Sequence, residues 1–146
     1  MKTISLIFGA SMIAIAAYGS PLDAQYGIEP PPSAYSHEPT IPYIVLLASP
    51  ARMTAACGEP SQPIPPNGCT RIGPDSTNID PSLFAEESRE TAENIKGKEG
   101  ICVIIIQNGD PIQRHQAIRH EFAHCNGLVH GSDGRGWFTT NGVRVQ

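Results

Sequence analysis

Proline limits regular structure more than any other residue, because it fixes φ and has no backbone N–H to give to a helix or sheet. This chain has fourteen prolines; thirteen lie between Pro21 and Pro81, and only Pro111 lies beyond. The first half is therefore expected to be loop-rich and the second half to carry the regular core. A length of 146 residues fits one domain, or one domain with a tail. With 40% hydrophobic and 16% charged residues it is neither a charged disordered chain nor a coiled coil. The net charge of −4 argues against a nucleic-acid binder that relies on phosphate contacts.

The amino terminus reads as a targeting segment. Lys2 gives a positive start, and residues 4–17 are an apolar run closed by Gly19, Ser20 and Pro21. The run is shorter than the roughly 20 residues that a membrane span needs. Residues 1–24 are expected to be a signal peptide, with cleavage after Gly19 or after Ala24. Lys2 and Asp23 leave together in the longer cut, so the mature charge is unchanged. The mature protein is expected to be exported to a periplasm or the extracellular space, with no stable membrane span. None of the six Asn residues heads an Asn-x-Ser/Thr acceptor, which favours a bacterial envelope over a eukaryotic secretory route.

Export lets the four cysteines be read as a disulfide framework. Four cysteines allow three pairings, and Cys57–Cys69 with Cys102–Cys125 is favoured because each joins neighbouring segments. In the chain-entropy model each such loop stabilises by about 3 kcal/mol. No two cysteines stand two to four residues apart, as Cys-type zinc sites require.

Residues 25–42 read as a Pro-rich extended arm with a polyproline stretch at Pro30-Pro31-Pro32, and residues 43–146 as the domain proper. Tyr43-Ile44-Val45-Leu46-Leu47 reads as a buried strand. Ser49-Pro50 opens a short helix that ends at Cys57 before Gly58. Residues 58–80 hold five prolines and no period, and read as loop. Asp80-Pro81 caps a helix to about Lys96, with Leu83, Phe84, Ala92 and Ile95 on its apolar side and a solvated acidic face. Residues 101–106 give the strongest strand signal. Asp110-Pro111 then starts a helix that runs to about Asn126, with Gly127 as its left-handed cap. Residues 137–145 carry a tight hairpin signal around Asn141-Gly142.

The helix at 111–126 contains His120-Glu121-Phe122-Ala123-His124. Residues four apart share a helical face, so the two imidazoles can converge on one ion. Glu121 lies beside the pair, where a carboxylate can take a proton from metal-bound water. Zinc is the natural ion for imidazole ligands and needs no redox partner. Gly127 can turn the chain back, and His130 can then supply a third nitrogen while one coordination position stays open.

The whole string His120-Glu121-x-x-His124-x-x-Gly127-x-x-His130 resembles the extended signature of the metzincin zinc metallopeptidases. The resemblance covers eleven residues at all five defining positions. It implies one zinc ion held by His120, His124 and His130, with Glu121 as general base. The fold it implies is a small α+β, minimal zincin-like domain. In it a short β-sheet packs on the zinc-binding helix and two disulfides staple the whole.

The chain also departs from the metzincin pattern. The last methionine is Met53, so no Met-turn follows the motif, and no tyrosine follows Tyr43. The Trp137–Val145 hairpin is expected to provide the apolar floor, with Trp137 or Phe138 as its aromatic residue. Gly131 after the third histidine assigns no subfamily, and Asp133 is a replacement ligand if His130 faces away. His37 and His115 read as ordinary polar residues.

The leading functional expectation is an exported zinc peptidase that hydrolyses peptide or protein substrates through water activated by Glu121. One alternative keeps the zinc as a non-catalytic staple of a small envelope protein. The other is an interaction module of a secretion or envelope assembly that holds a protein partner through the Pro-rich arm.

Overall fold

The computed structural model of the chain describes residues 28–58, 67–132 and 134–146. The expected signal peptide, residues 25–27 of the arm and Asp133 lie outside the described residues.

The architecture is α+β, with three α-helices and two small sheets among the described residues. The central sheet contains β1 (Tyr43–Ala48), β2 (Gly68–Arg71) and β3 (Cys102–Gln107), in the order β1-β3-β2. β1 runs parallel to β3 with Tyr43 opposite Cys102, while β2 runs antiparallel with Gly68 opposite Ile106. β3 is a continuous apolar run because both its faces are covered; Cys102 to Ile106 are each at most 1% exposed. Val103 and Ile105 face a cluster that includes Leu46, Met53, Phe84, Ala92 and Ile95. Cys102, Ile104 and Ile106 face Ile28, Ala117 and Cys125 on the other side. Each buried isoleucine of β3 contributes about 1.5–3 kcal/mol of burial free energy.

The first cluster packs α1 (Met53–Cys57) and α2 (Glu86–Ile95) onto one face of the sheet. The second packs α3 (Pro111–Cys125) onto the other face. Asp110 caps α3 as its sequence requires: Oδ1 accepts from the N–H groups of Ile112 and Gln113, both at 3.0 Å. Pro111 occupies the first turn, where its missing N–H costs nothing. The second sheet has the order β4-β5-β6, formed by Leu128–His130, Trp137–Thr139 and Arg144–Val145. All its pairings are antiparallel, and its register sets His130 opposite Trp137.

Both expected disulfides are present, Cys57–Cys69 and Cys102–Cys125, each with Cα atoms 6.0 Å apart. Cys125 thus points to the sheet and away from the neighbouring histidine, and it is no metal ligand.

Several local expectations are corrected. The proposed 58–80 loop contains β2, whose four residues have no apolar period of their own. Its ladder is supplied by β3 and its place fixed by Cys69. The helix expected from Pro81 to about Lys96 is broken into a 3-10 turn at Pro81–Leu83 and α2. Phe84 interrupts it because its 2%-exposed ring is wanted in the core, and it makes an antiparallel bridge with Ala48. The helix expected from Pro50 to Cys57 begins as a 3-10 turn at Pro50–Arg52 and continues as α1, and Ser49 before it makes no side-chain cap. β4 was not anticipated, and it places His130 in a strand instead of a free loop. The arm is not extended throughout: Ser33–Tyr35 form a 3-10 turn. No described helix is long and apolar enough to cross a membrane.

Candidate metal centre

α3 carries His120 and His124 one turn apart, with ring centroids separated by 5.1 Å. The helix ends at Cys125, and Gly127 takes φ +92°, a conformation that side chains with a Cβ disfavour. The chain can therefore reverse directly into β4, whose last residue is His130. Its ring lies 5.0 Å from each of the other two. One nitrogen from each imidazole falls within 4.8 Å of the others, close enough to hold a metal ion.

The backbone fixes which nitrogens face inward. The Nδ1 atoms of His120, His124 and His130 lie 2.7, 2.8 and 3.2 Å from the carbonyl oxygens of Glu29, Leu128 and Gly136. A carbonyl only accepts, so each Nδ1 carries a proton, and a ring that is neutral keeps its lone pair on Nε2. The Nε2 atoms of His120 and His130 stand 3.1 Å apart. Two lone pairs at that distance repel unless a proton or a cation lies between them. Burial holds His120 down to about 4, opposed by its Glu29 hydrogen bond, with the other two rings lowering it further. Burial likewise lowers His124. His120 is therefore neutral near pH 7, and a cation is the natural occupant. Tetrahedral zinc with N ligands at 2.0–2.1 Å sets neighbouring nitrogens about 3.3 Å apart, so the donor set fits such an ion.

Trp137 closes the floor beneath the cluster. Its ring centroid lies 4.8, 5.1 and 4.3 Å from those of His120, His124 and His130. It is 4% exposed, and its indole N–H donates to the carbonyl of Pro30 at 3.1 Å. Of the two aromatic residues proposed for this role, Trp137 is the one against the imidazoles, brought there by its pairing with His130.

Glu121 shares a cleft of about 620 Å³ with the three histidines. Its Oε2 accepts from the Thr70 hydroxyl at 2.6 Å, so β2 holds the carboxylate. A Cβ at position 68 would stand 2.9 Å from Glu121 Oε1, so Gly68 is what lets strand and carboxylate approach. Burial raises the Glu121 carboxyl to about 7, against the opposing pull of the Thr70 hydrogen bond. A carboxyl poised there suits proton transfer near neutral pH.

The structure thus brings together His120, His124, His130 and Glu121. His37 and His115 are exposed and outside the cluster. Glu29, Gly68, Thr70 and the depth of Trp137 were not legible beforehand. Glu29 lies 91 positions from His120, a separation at which no spacing rule operates. No protein-family model, curated protein or solved structure matches this chain.

Proposed function

We propose that this protein is an exported zinc-dependent peptidase related in its site to the metzincins, with His120, His124 and His130 as ligands and Glu121 as general base. The observation that carries the reading is the set of three Nδ1–H donations to carbonyls, which leaves the Nε2 sides of three clustered imidazoles for a metal in the cleft that Glu121 also lines. Zinc, when bound there, would polarise a scissile carbonyl and acidify water. Glu121 would accept the water's proton on its carboxylate and return it to the leaving amine, while Thr70 holds that carboxylate in place. The edge of β2 supports a peptide substrate. Among the described residues β2 pairs only with β3, and Gly68, Cys69 and Thr70 of β2 line the cleft. An extended peptide can add to such an edge through main-chain hydrogen bonds. The two disulfides fit the oxidising compartment that export implies.

The test is Glu121→Gln, which preserves size and removes the base. Zinc content and melting temperature should match the wild type while hydrolysis of a mixed peptide library or a denatured protein is lost. Unchanged hydrolysis in the variant excludes Glu121 as the base. A zinc-loaded wild type that hydrolyses nothing over a broad library points to the metal as a structural staple.

A further inference from the structure

We propose that the amino-terminal arm is part of the metal site, with Glu29 as a positioning residue that couples docking of the arm to metal binding. This rests on the metal-site reading above. Three consecutive residues of the arm each hold a different piece of the site. Ile28 is 8% exposed and packs among Cys102, Ile104, Ala117 and Cys125, behind the helix that bears two of the ligands. Glu29 accepts the His120 Nδ1 proton on its backbone carbonyl. Its side chain reaches the other way: Oε1 accepts from the Gly136 N–H at 3.2 Å, and Oε2 lies 3.6 Å from His130 Nδ1. Pro30 accepts from the Trp137 indole.

One residue therefore backs two ligands that come from different elements, His120 from α3 and His130 from β4. Glu29 holds His120 through its own carbonyl and braces Gly136, whose carbonyl takes the His130 Nδ1 proton, so it ties the two rings together. The carboxylate also stands 3.6 Å from His130 Nδ1, where its charge favours a cation on the far side of that ring. A second tie keeps the arm in register: Asn126 Nδ2, just past the last turn of α3, donates to the carbonyls of Tyr35 and His37 at 2.9 and 3.0 Å. Metal binding requires the ring geometry that the docked arm imposes, so by linkage metal must favour the docked arm by the same factor. The arm is then a wall of the site, and its docking and metal binding report on each other.

The experiment compares full-length mature wild type, Glu29→Ala and Glu29→Gln. Zinc affinity is read by competition with a chromophoric chelator, the Co²⁺ spectrum reports ring geometry, and hydrogen exchange is followed at amides 28–37. Glu29→Ala should bind zinc about 10- to 100-fold more weakly, the usual effect of losing a partner behind a ligand. Its Co²⁺ bands should shift, and Glu29→Gln, which can still accept from Gly136, should recover part of the affinity. Zinc should slow exchange of the arm in the wild type and much less in Glu29→Ala. A residue that served only the fold would lower the metal-free melting temperature and leave these readouts alone. If Glu29→Ala does not fold, Glu29→Gln carries the test with an expected several-fold loss. Zinc affinities within twofold of wild type, or arm exchange indifferent to zinc, would overturn the coupling and leave the metal site standing. A wild type that takes up no zinc would overturn the metal site and this inference with it.

Discussion

Gly68→Ala is a small substitution with a large expected consequence. Gly68 has an ordinary negative φ, so alanine meets no backbone penalty; the cost is entirely steric. The added methyl carbon would lie 2.9 Å from Glu121 Oε1, 2.9 Å from Ile106 Cδ1 and 3.3 Å from Glu121 Cγ. Ordinary contacts need about 0.5–1 Å more on each side. Ile106 is 1% exposed inside a close-packed cluster and has nowhere to go. The carboxylate can move only by stretching or breaking the Thr70 hydrogen bond in a buried setting. Overpacking of this kind costs about 1–3 kcal/mol. For a domain of this size that is a fall of roughly 5–15 °C in melting temperature. If the backbone holds and Glu121 gives way instead, a displacement of about 1 Å lowers kcat by up to roughly 100-fold while zinc stays bound. Thermal melting, zinc content and peptide turnover read these outcomes separately. A variant that melts within about 1 °C of wild type and turns over peptide normally would refute the packing of β2 on Glu121.

Two further predictions follow from the same geometry. In metal-free protein, burial keeps His120 neutral down to about 4. Its unfolded counterpart takes up a proton near 6.5, so its stabilising contribution is present above 6.5 and is lost as pH falls through about 4. A difference of that size is worth about 3 kcal/mol. Glu121, raised to about 7, acts oppositely: its contribution is present below 4.5 and is lost as pH rises toward 7. Metal-free Glu121→Gln should therefore lose melting temperature more steeply than wild type between pH 6.5 and 4; parallel curves would contradict the buried state of Glu121. Opening Cys102–Cys125, by reduction or by Cys102→Ser with Cys125→Ser, frees the end of α3 from β3 and should weaken zinc retention although no ligand is removed. Unchanged zinc affinity would show that the helix is held by packing alone.

What the sequence revealed is what local rules govern. The capped helix at Pro111–Cys125, the left-handed turn at Gly127, the two disulfides and the buried strand around Ile104 each declare themselves within a few residues. The three histidines and Glu121 were legible for the same reason, since helical spacing and one glycine suffice to bring them together. β2 was hidden because its order comes from β3 and Cys57, not from its own four residues. Phe84 broke a helix that its neighbours would have continued, because a core position and the edge of β1 outweighed local propensity. Glu29 and Thr70 were invisible because hydrogen bonds across 91 and 51 positions leave no periodic trace.

The central claim is that the three imidazoles of His120, His124 and His130 hold one metal ion, and metal content tests it most directly. Mature protein purified without an affinity tag should contain about one zinc per chain by elemental analysis. His120→Ala and His124→Ala should each lose most of it, since the two remaining ligands bind poorly. Full zinc occupancy in either variant, or no bound metal in wild type after dialysis against dilute zinc, would contradict the site.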